Sequence, residues 1–186
     1  MRDKSMDGFY GFVRRLIGGF SDAGLDYAFT GALATSFYGV PRTTTDVDVI
    51  VAVSGVADVA GKVAGALRHA GLEVDERKIG MALESGYRIA SFRDKASPYT
   101  LDVILVDGAL RKNVGTVAGL TTFFQAPEDL VLAKLRMVKA TKPRERAVKD
   151  EEDVKAILEF TKVDLEAVKK QAKQDGTLAI LQELVA

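Results

Sequence analysis

The sequence predicts an α+β fold, and three observations predict it. The stretch TTTDVDVIVAV at 43–53 puts Val47, Val49, Val51 and Val53 at every second position, the period of a strand with one apolar face. Directly after it, Val56, Val59, Ala60, Val63, Ala64, Leu67 and Ala70 recur at helical spacing and stop at Gly71. Further strands then follow in series rather than alternating with helices, which separates this pattern from an open doubly wound sheet.

The elements follow in order. Phe9, Phe12, Val13, Leu16 and Phe20 mark a first helix that Gly24 can end. Residues 25–30 read as a short strand. A second helix starts near Gly31 and stops around Tyr38 and Gly39, because Pro41 disfavours helix just before it. The valine strand and the 56–70 helix come next, then a short strand at 72–74. Tyr87 to Phe92 and Tyr99 to Val106 read as strands joined by a turn over 93–98. At Pro127 the character changes, since proline at the first helical position with Glu128 and Asp129 in the first turn is a preferred helix opening. Helices are expected over 150–160, 164–173 and 177–184, with no strand signal after 126. The expected organisation is therefore an α+β core over 1–125 and a helical portion over 126–186.

Composition narrows the chemistry. The 186 residues amount to one domain plus a little at ~150 per domain. Such a chain buries roughly 70% of its surface and needs no staple. Lys plus Arg and Asp plus Glu are 26 each, so any charge argument is local. There is no cysteine, which excludes disulfides, thiolate metal sites and a cysteine nucleophile, and the single His69 excludes multi-histidine sites. No apolar run reaches the ~18 residues of a membrane helix. Asp3, Asp7, Arg14 and Arg15 break up the start against a secretory signal. The expectation is a soluble, cytoplasmic protein without a membrane partner.

The carboxylates carry the functional reading. Asp46 and Asp48 alternate with valines in a strand, where acids are depleted. Alternation puts both on one face, their Cα atoms ~6–7 Å apart. Two carboxylates so placed can lean onto one hard cation such as Mg²⁺, with Mn²⁺ as a substitute. Asp102 interrupts a second apolar strand. If the two strands are neighbours, three carboxylates converge into a cluster that repels itself unless a cation is bound. Two metals ~3.5–4 Å apart would then clamp the oxygens of a phosphoryl transfer. The plain alternative puts Asp46 at a strand entry and Asp48 on a wet face. Ile50 and Ile104, on the same faces as the acids, argue against simple exposure.

Upstream, Phe29-Thr30-Gly31-Ala32 sets a glycine between a strand and a helix, where backbone N–H groups can approach a phosphate. The order of Gly31, Asp46 and Asp48 across 25–53, with Asp102 as third acid, resembles the nucleotidyltransferase superfamily of DNA polymerase β type. Gly-Val-Pro-Arg-Thr-x-x-Asp at 39–46 is similar to its minimal, abortive-infection toxin-like members. So are Pro127 to Leu135 and Lys149-Asp150 with Asp153. The resemblance implies a polymerase-β-like nucleotidyltransferase fold, a small mixed sheet flanked by helices with a helical C-terminal portion. It implies an NTP substrate, a two-metal Mg²⁺ site on Asp46, Asp48 and Asp102, and pyrophosphate release. The acceptor hydroxyl would belong to an RNA or tRNA end, a protein or a small molecule, and a toxin role would bring an antitoxin partner. Ala32 departs from the family's glycine or serine; it keeps a backbone N–H and lacks the hydroxyl.

Arg42, Lys134 and Lys149 complete the nucleotide-binding candidates with Gly31 and Ala32. Arg42 could neutralise a phosphate or be a solvated loop residue. The segment 134–149 holds seven cations and only Glu145 as an acid, a local excess suited to a triphosphate or an RNA backbone, or to a solvated helix face. Lys134 stands out because the resemblance turns a lysine there to the cleft. His69, near a helix end, reads as a surface residue. The rival functions are an inactive nucleotide-binding or interaction module on the same fold, and a sugar-nucleotide glycosyltransferase using Asp-x-Asp.

Overall fold

The computed structural model describes residues 8–39 and 41–186; segment 1–7, with Asp3 and Asp7, and Val40 of the Gly-Val-Pro-Arg stretch lie outside the described residues. In chain order the elements are α1 (Phe9–Asp22), β1 (Tyr27–Thr30), α2 (Gly31–Tyr38), β2 (Asp46–Ala52), α3 (Val59–His69), β3 (Leu72–Glu73), α4 (Glu76–Glu84), β4 (Ile89–Asp94), β5 (Thr100–Val106), β6 (Lys112–Val117), β7 (Leu120–Gln125), α5 (Pro127–Ala140), α6 (Val148–Phe160), α7 (Leu165–Asp175) and α8 (Leu178–Val185). A 3-10 turn, Arg144–Ala147, precedes α6. They group into two compact units. One holds the described residues of Met1–Leu33 with Thr43–Phe124, the other Ala34–Arg42 with Gln125–Ala186.

The first unit is built on a mixed seven-stranded sheet in the order β3-β4-β5-β2-β1-β7-β6. β2 is central, antiparallel to β1 and parallel to β5. Its register pairs Val47 with Leu101, Val49 with Val103 and Val51 with Leu105. All six are buried, so the valine face predicted from alternation is a dry face. Each such side chain contributes ~1.5–3 kcal/mol by leaving water. α1 lies on that face. Its Arg15 donates to Asp94 Oδ1 at 2.7 Å and to the Ala70 carbonyl at 2.9 Å. Asp94 is 6% exposed and also accepts from Ser97, so its charge is compensated where it is buried. Where α1 approaches α3, Gly19 meets the Ala66 carbonyl so closely that any Cβ would overlap it.

Two parts of this unit carry weak sequence signals. α4 is a nine-residue helix with Ile79 and Ala82 as its buried residues. β6 and β7 form a hairpin whose turn, Ala118-Gly119, has positive φ at both positions, as a tight two-residue turn requires. Arg14 donates to the Ala118 carbonyl at 2.7 Å and braces it.

The second unit is helical. α5 starts with Pro127 at its first turn and buries Leu130, Val131, Leu132, Leu135 and Val138. Val154 and Ile157 of α6, Val168 and Ala172 of α7, and Leu181 of α8 are fully buried with them. The segment after α2 is fastened to α6. Gly39 has a Cβ position 3.1 Å from Ala156 Cβ, and Thr161 Oγ1 donates to the Tyr38 carbonyl at 2.5 Å. No helix among the described residues is long and apolar enough to cross a membrane.

Candidate active site

The three acids singled out in the sequence stand on one face of the first unit's sheet. Parallel pairing sets Asp48 level with Asp102 and Asp46 level with Thr100. Adjacent strands lie ~4.8 Å apart, so Asp48 and Asp102 are immediate neighbours across the ladder. The same face continues into β4, where Ser91 pairs with Asp102 and Arg93 with Thr100. Further along β2 and β5 the face turns apolar, as Ile50 beside Ile104 predicts; Ile50 is 6% exposed.

Hydroxyls hold two of these acids. Thr100 Oγ1 donates to Asp46 Oδ1 and Ser91 Oγ donates to Asp102 Oδ1, both at 2.5 Å. Thr44 brackets the start of β2, its Oγ1 donating to the Asp46 carbonyl at 2.9 Å and accepting from the Asp46 N–H at 3.1 Å. Thr43–Thr45 are thus a strand entry, and Thr44 has a defined task in it. Among the described residues, no three acids or histidines stand close enough together to hold a metal ion as the side chains lie. By donor chemistry the residues do fit a hard divalent cation, since carboxylates and hydroxyls are the oxygen ligands it takes.

Gly31 is fixed by this arrangement. It begins α2 directly after β1, whose Thr30 pairs with Asp48. Its φ is +56°, a left-handed conformation, and a methyl group there would overlap the Asp48 carboxylate. Both facts ask for glycine. The result is a helix N-terminus opening beside a carboxylate, with Ala32 in its first turn.

A cleft of ≈ 850 Å³ adjoins Asp102. Ser91, Arg93 and Thr100 line it together with Glu73, Asp75 and Lys78. Asp75 caps α4, and the Arg77 guanidinium that it accepts from holds its carboxyl below the usual range.

The predicted cations lie in the second unit, within an ion network. Arg42 Nη1 donates to Asp153 Oδ1, while Lys134 Nζ reaches Asp153 Oδ2 at 2.6 Å and Asp150 Oδ1 at 2.9 Å. Asp153 is 5% exposed, and it is the residue on which both cations converge. Lys149 lines a pocket of ≈ 390 Å³ with Thr35, Arg42, Glu152, Asp153 and Ala156. Other cations of the 134–149 segment pair at the surface, Arg136 with Asp175 and Arg144 with Glu151 and Glu183. His69 ends α3 and sits 3.6 Å from Asp22, both exposed.

Ser91 and Thr100 are the site residues that sequence reasoning missed. Thr100 carried a signal, being two positions before Asp102 and hence on its face. Ser91 carried none until the register of the β4–β5 hairpin was fixed.

The mixed sheet bears paired acids on its central strand, with a glycine-initiated helix against them, and solved structures align with it as a polymerase-β-like nucleotidyltransferase fold. No family model matches the chain, and no curated protein matches it. Among solved structures it is similar to ANT(2'')-Ia, whose crystal structure is a complex with adenylyl-2''-tobramycin. That likeness has a TM-score of 0.63 at 13% identity, over 95% of this chain and 98% of that one. A solution structure of the antibiotic-resistance factor ANT(2'')-Ia aligns with a TM-score of 0.60 at 12% identity, over 94% and 95%. An antigenic nucleotidyltransferase-like protein from Paracoccidioides brasiliensis gives 0.57 at 14% identity, over 91% of each chain. At such identities the likeness is one of fold.

Proposed function

We propose that the protein is a metal-dependent nucleotidyltransferase that moves an NMP from an NTP to an acceptor hydroxyl and releases pyrophosphate. The observation that carries the reading is the pairing of Asp48 with Asp102 across two strands, with Asp46 on the same sheet face and Gly31 pressed against Asp48. Asp46, Asp48 and Asp102 would hold Mg²⁺, as two ions or with Mn²⁺ in its place; when bound, the cation supplies charge for the phosphates and the developing oxyanion. The backbone at Gly31 and Ala32, at the start of α2, would bind the triphosphate. Asp102 accepts the proton of the attacking hydroxyl. Arg42, Lys134 and Lys149 are assigned to nucleotide binding.

The acceptor class is open to RNA or tRNA ends, proteins and small molecules, and the neighbour solved with an adenylylated antibiotic supports a small molecule among these. A toxin role with an antitoxin partner rests on the resemblance of 39–46 and 127–153 to the toxin-like members. The second reading, an inactive nucleotide-binding module, is motivated by Ala32.

Calorimetric titration of the four NTPs with and without Mg²⁺, beside Asp46→Ala/Asp48→Ala, tests the proposal. Metal-dependent binding of one NTP, abolished in the double variant, is expected. Failure of the folded protein to bind any NTP would overturn it.

A further inference from the structure

One hydroxyl of the chain stands against the acid assigned above as the base. Ser91 Oγ donates to Asp102 Oδ1 at 2.5 Å, on the same sheet face as Asp46 and Asp48 and in the lining of the ≈ 850 Å³ cleft. Ser91 is exposed and sits on β4, separated from the Asp46–Asp48 strand only by β5. A hydroxyl within hydrogen-bond reach of a carboxylate base has the geometry that general-base catalysis requires of a nucleophile. Lys78 Nζ donates to the Ser91 backbone carbonyl at 3.3 Å and lines the same cleft.

Resting on the nucleotidyltransferase reading, we propose that Ser91 is a self-modification site: in the absence of an external acceptor, the protein transfers an NMP to its own Ser91. Ser91 Oγ attacks the α-phosphorus of the bound NTP and forms a phosphodiester. The bond from that phosphorus to the bridging oxygen of the β-phosphate breaks, pyrophosphate leaves, and the hydroxyl proton passes to Asp102 and then to solvent. No oxidant or further co-reactant is needed. The nucleotidylated serine would fill the cleft beside Asp102 and remove the hydroxyl that orients it, so the modified protein is switched off towards other acceptors.

Thr100 supplies an internal comparison. Its Oγ1 makes the same 2.5 Å contact with Asp46, but it is a half-buried secondary alcohol, and Asp46 belongs to the paired acids rather than to the base. Label should therefore appear on Ser91 and not on Thr100.

The test incubates the full chain with Mg²⁺ and each NTP in turn, followed by intact-mass measurement, peptide mapping and pyrophosphate assay. The expected result is a gain of one NMP per chain, one pyrophosphate released, the label mapped to Ser91, and a rate constant independent of protein concentration. Ser91→Ala should lose the mass gain. Mapping on the wild type needs no variant to fold. An NTP that binds with Mg²⁺ yet leaves the mass unchanged overturns the inference alone, as does label on Thr100 or another residue. Absence of NTP binding overturns the functional reading, and this inference with it.

Discussion

Two residues show how strictly the local chemistry is fixed. Gly31 is held at a φ of +56° with no room for a side chain beside Asp48. Gly31→Ala should therefore cost ~1–3 kcal/mol, the strain of a non-glycine residue in a disfavoured conformation. It should also displace the Asp48 carboxylate, so metal-dependent NTP binding should weaken by more than the stability loss accounts for. Urea unfolding and calorimetry on the same variant separate the two effects. Asp153 is the second case. It is buried and receives both Arg42 and Lys134. Asp153→Ala leaves two partly buried cations under-compensated, which should cost ~3–5 kcal/mol. Adding Lys134→Met should recover part of that loss, because the variant then buries one fewer cation without its partner. Denaturation midpoints of the single and double variants check this.

At the scale of elements, α7 illustrates how a helix end is tied down. Its last residue, Asp175, accepts from Gln171, four residues earlier, and from Arg136 of α5, and Gly176 closes the helix at a φ of +66°. The Gln171 hydrogen bond, then that of Arg136, outweigh the opposing effect of burial and hold the Asp175 carboxyl below the usual range. A depressed carboxylate stabilises the fold above its unfolded-state pKa, and that contribution disappears as pH falls through the folded value. Asp175→Asn should be less stable than the wild type at neutral pH, and the difference should close as the pH is lowered through the carboxyl's depressed folded-state pKa. Urea midpoints across that range give the measurement. Elements also show what the sequence could and could not tell. β2 was legible because its alternation is unbroken, and α5 because Pro127, Glu128 and Asp129 announce it. α4 was not, since two buried residues make too thin a stripe to separate from a loop. β6 escaped because all six of its residues are partly or wholly exposed, and its Ala118-Gly119 turn lacks the asparagine or aspartate that usually signals such a hairpin.

For the whole molecule, the choice between enzyme and binding module turns on Ala32. Ala32→Ser restores the hydroxyl that the resembling family carries there. If the native chain is a binding module, the substitution should raise pyrophosphate release from an undetectable level. If it is already a catalyst, the rate should change by no more than a few-fold, since the backbone N–H is present in both. A pyrophosphate-release assay on the two proteins distinguishes these outcomes. The pair Asp46 and Asp48 and their shared face could be read from periodicity, and Gly31 from its place between a strand and a helix. Their meeting with Asp102 could not, because it depends on β2 and β5 being neighbours, a fact of topology rather than of local pattern. The same holds for Asp153: its spacing from Lys149 and Asp150 is visible in the chain, whereas its role as the anchor of Arg42 exists only after folding.

The parallel pairing of β2 with β5 also has a consequence for how the protein comes into being. Asp46 and Thr100 are 54 residues apart along the chain, and the loop between them must close before the acids face one another. Contacts of such separation form late, because the entropy of closing the loop has to be met before they return anything. During synthesis, a chain that has emerged only as far as β4 carries Asp46 and Asp48 but no Asp102. On the proposed reading the site therefore waits for the central strand to find its partner, and a chain that stops at β4 lacks one of its three acids.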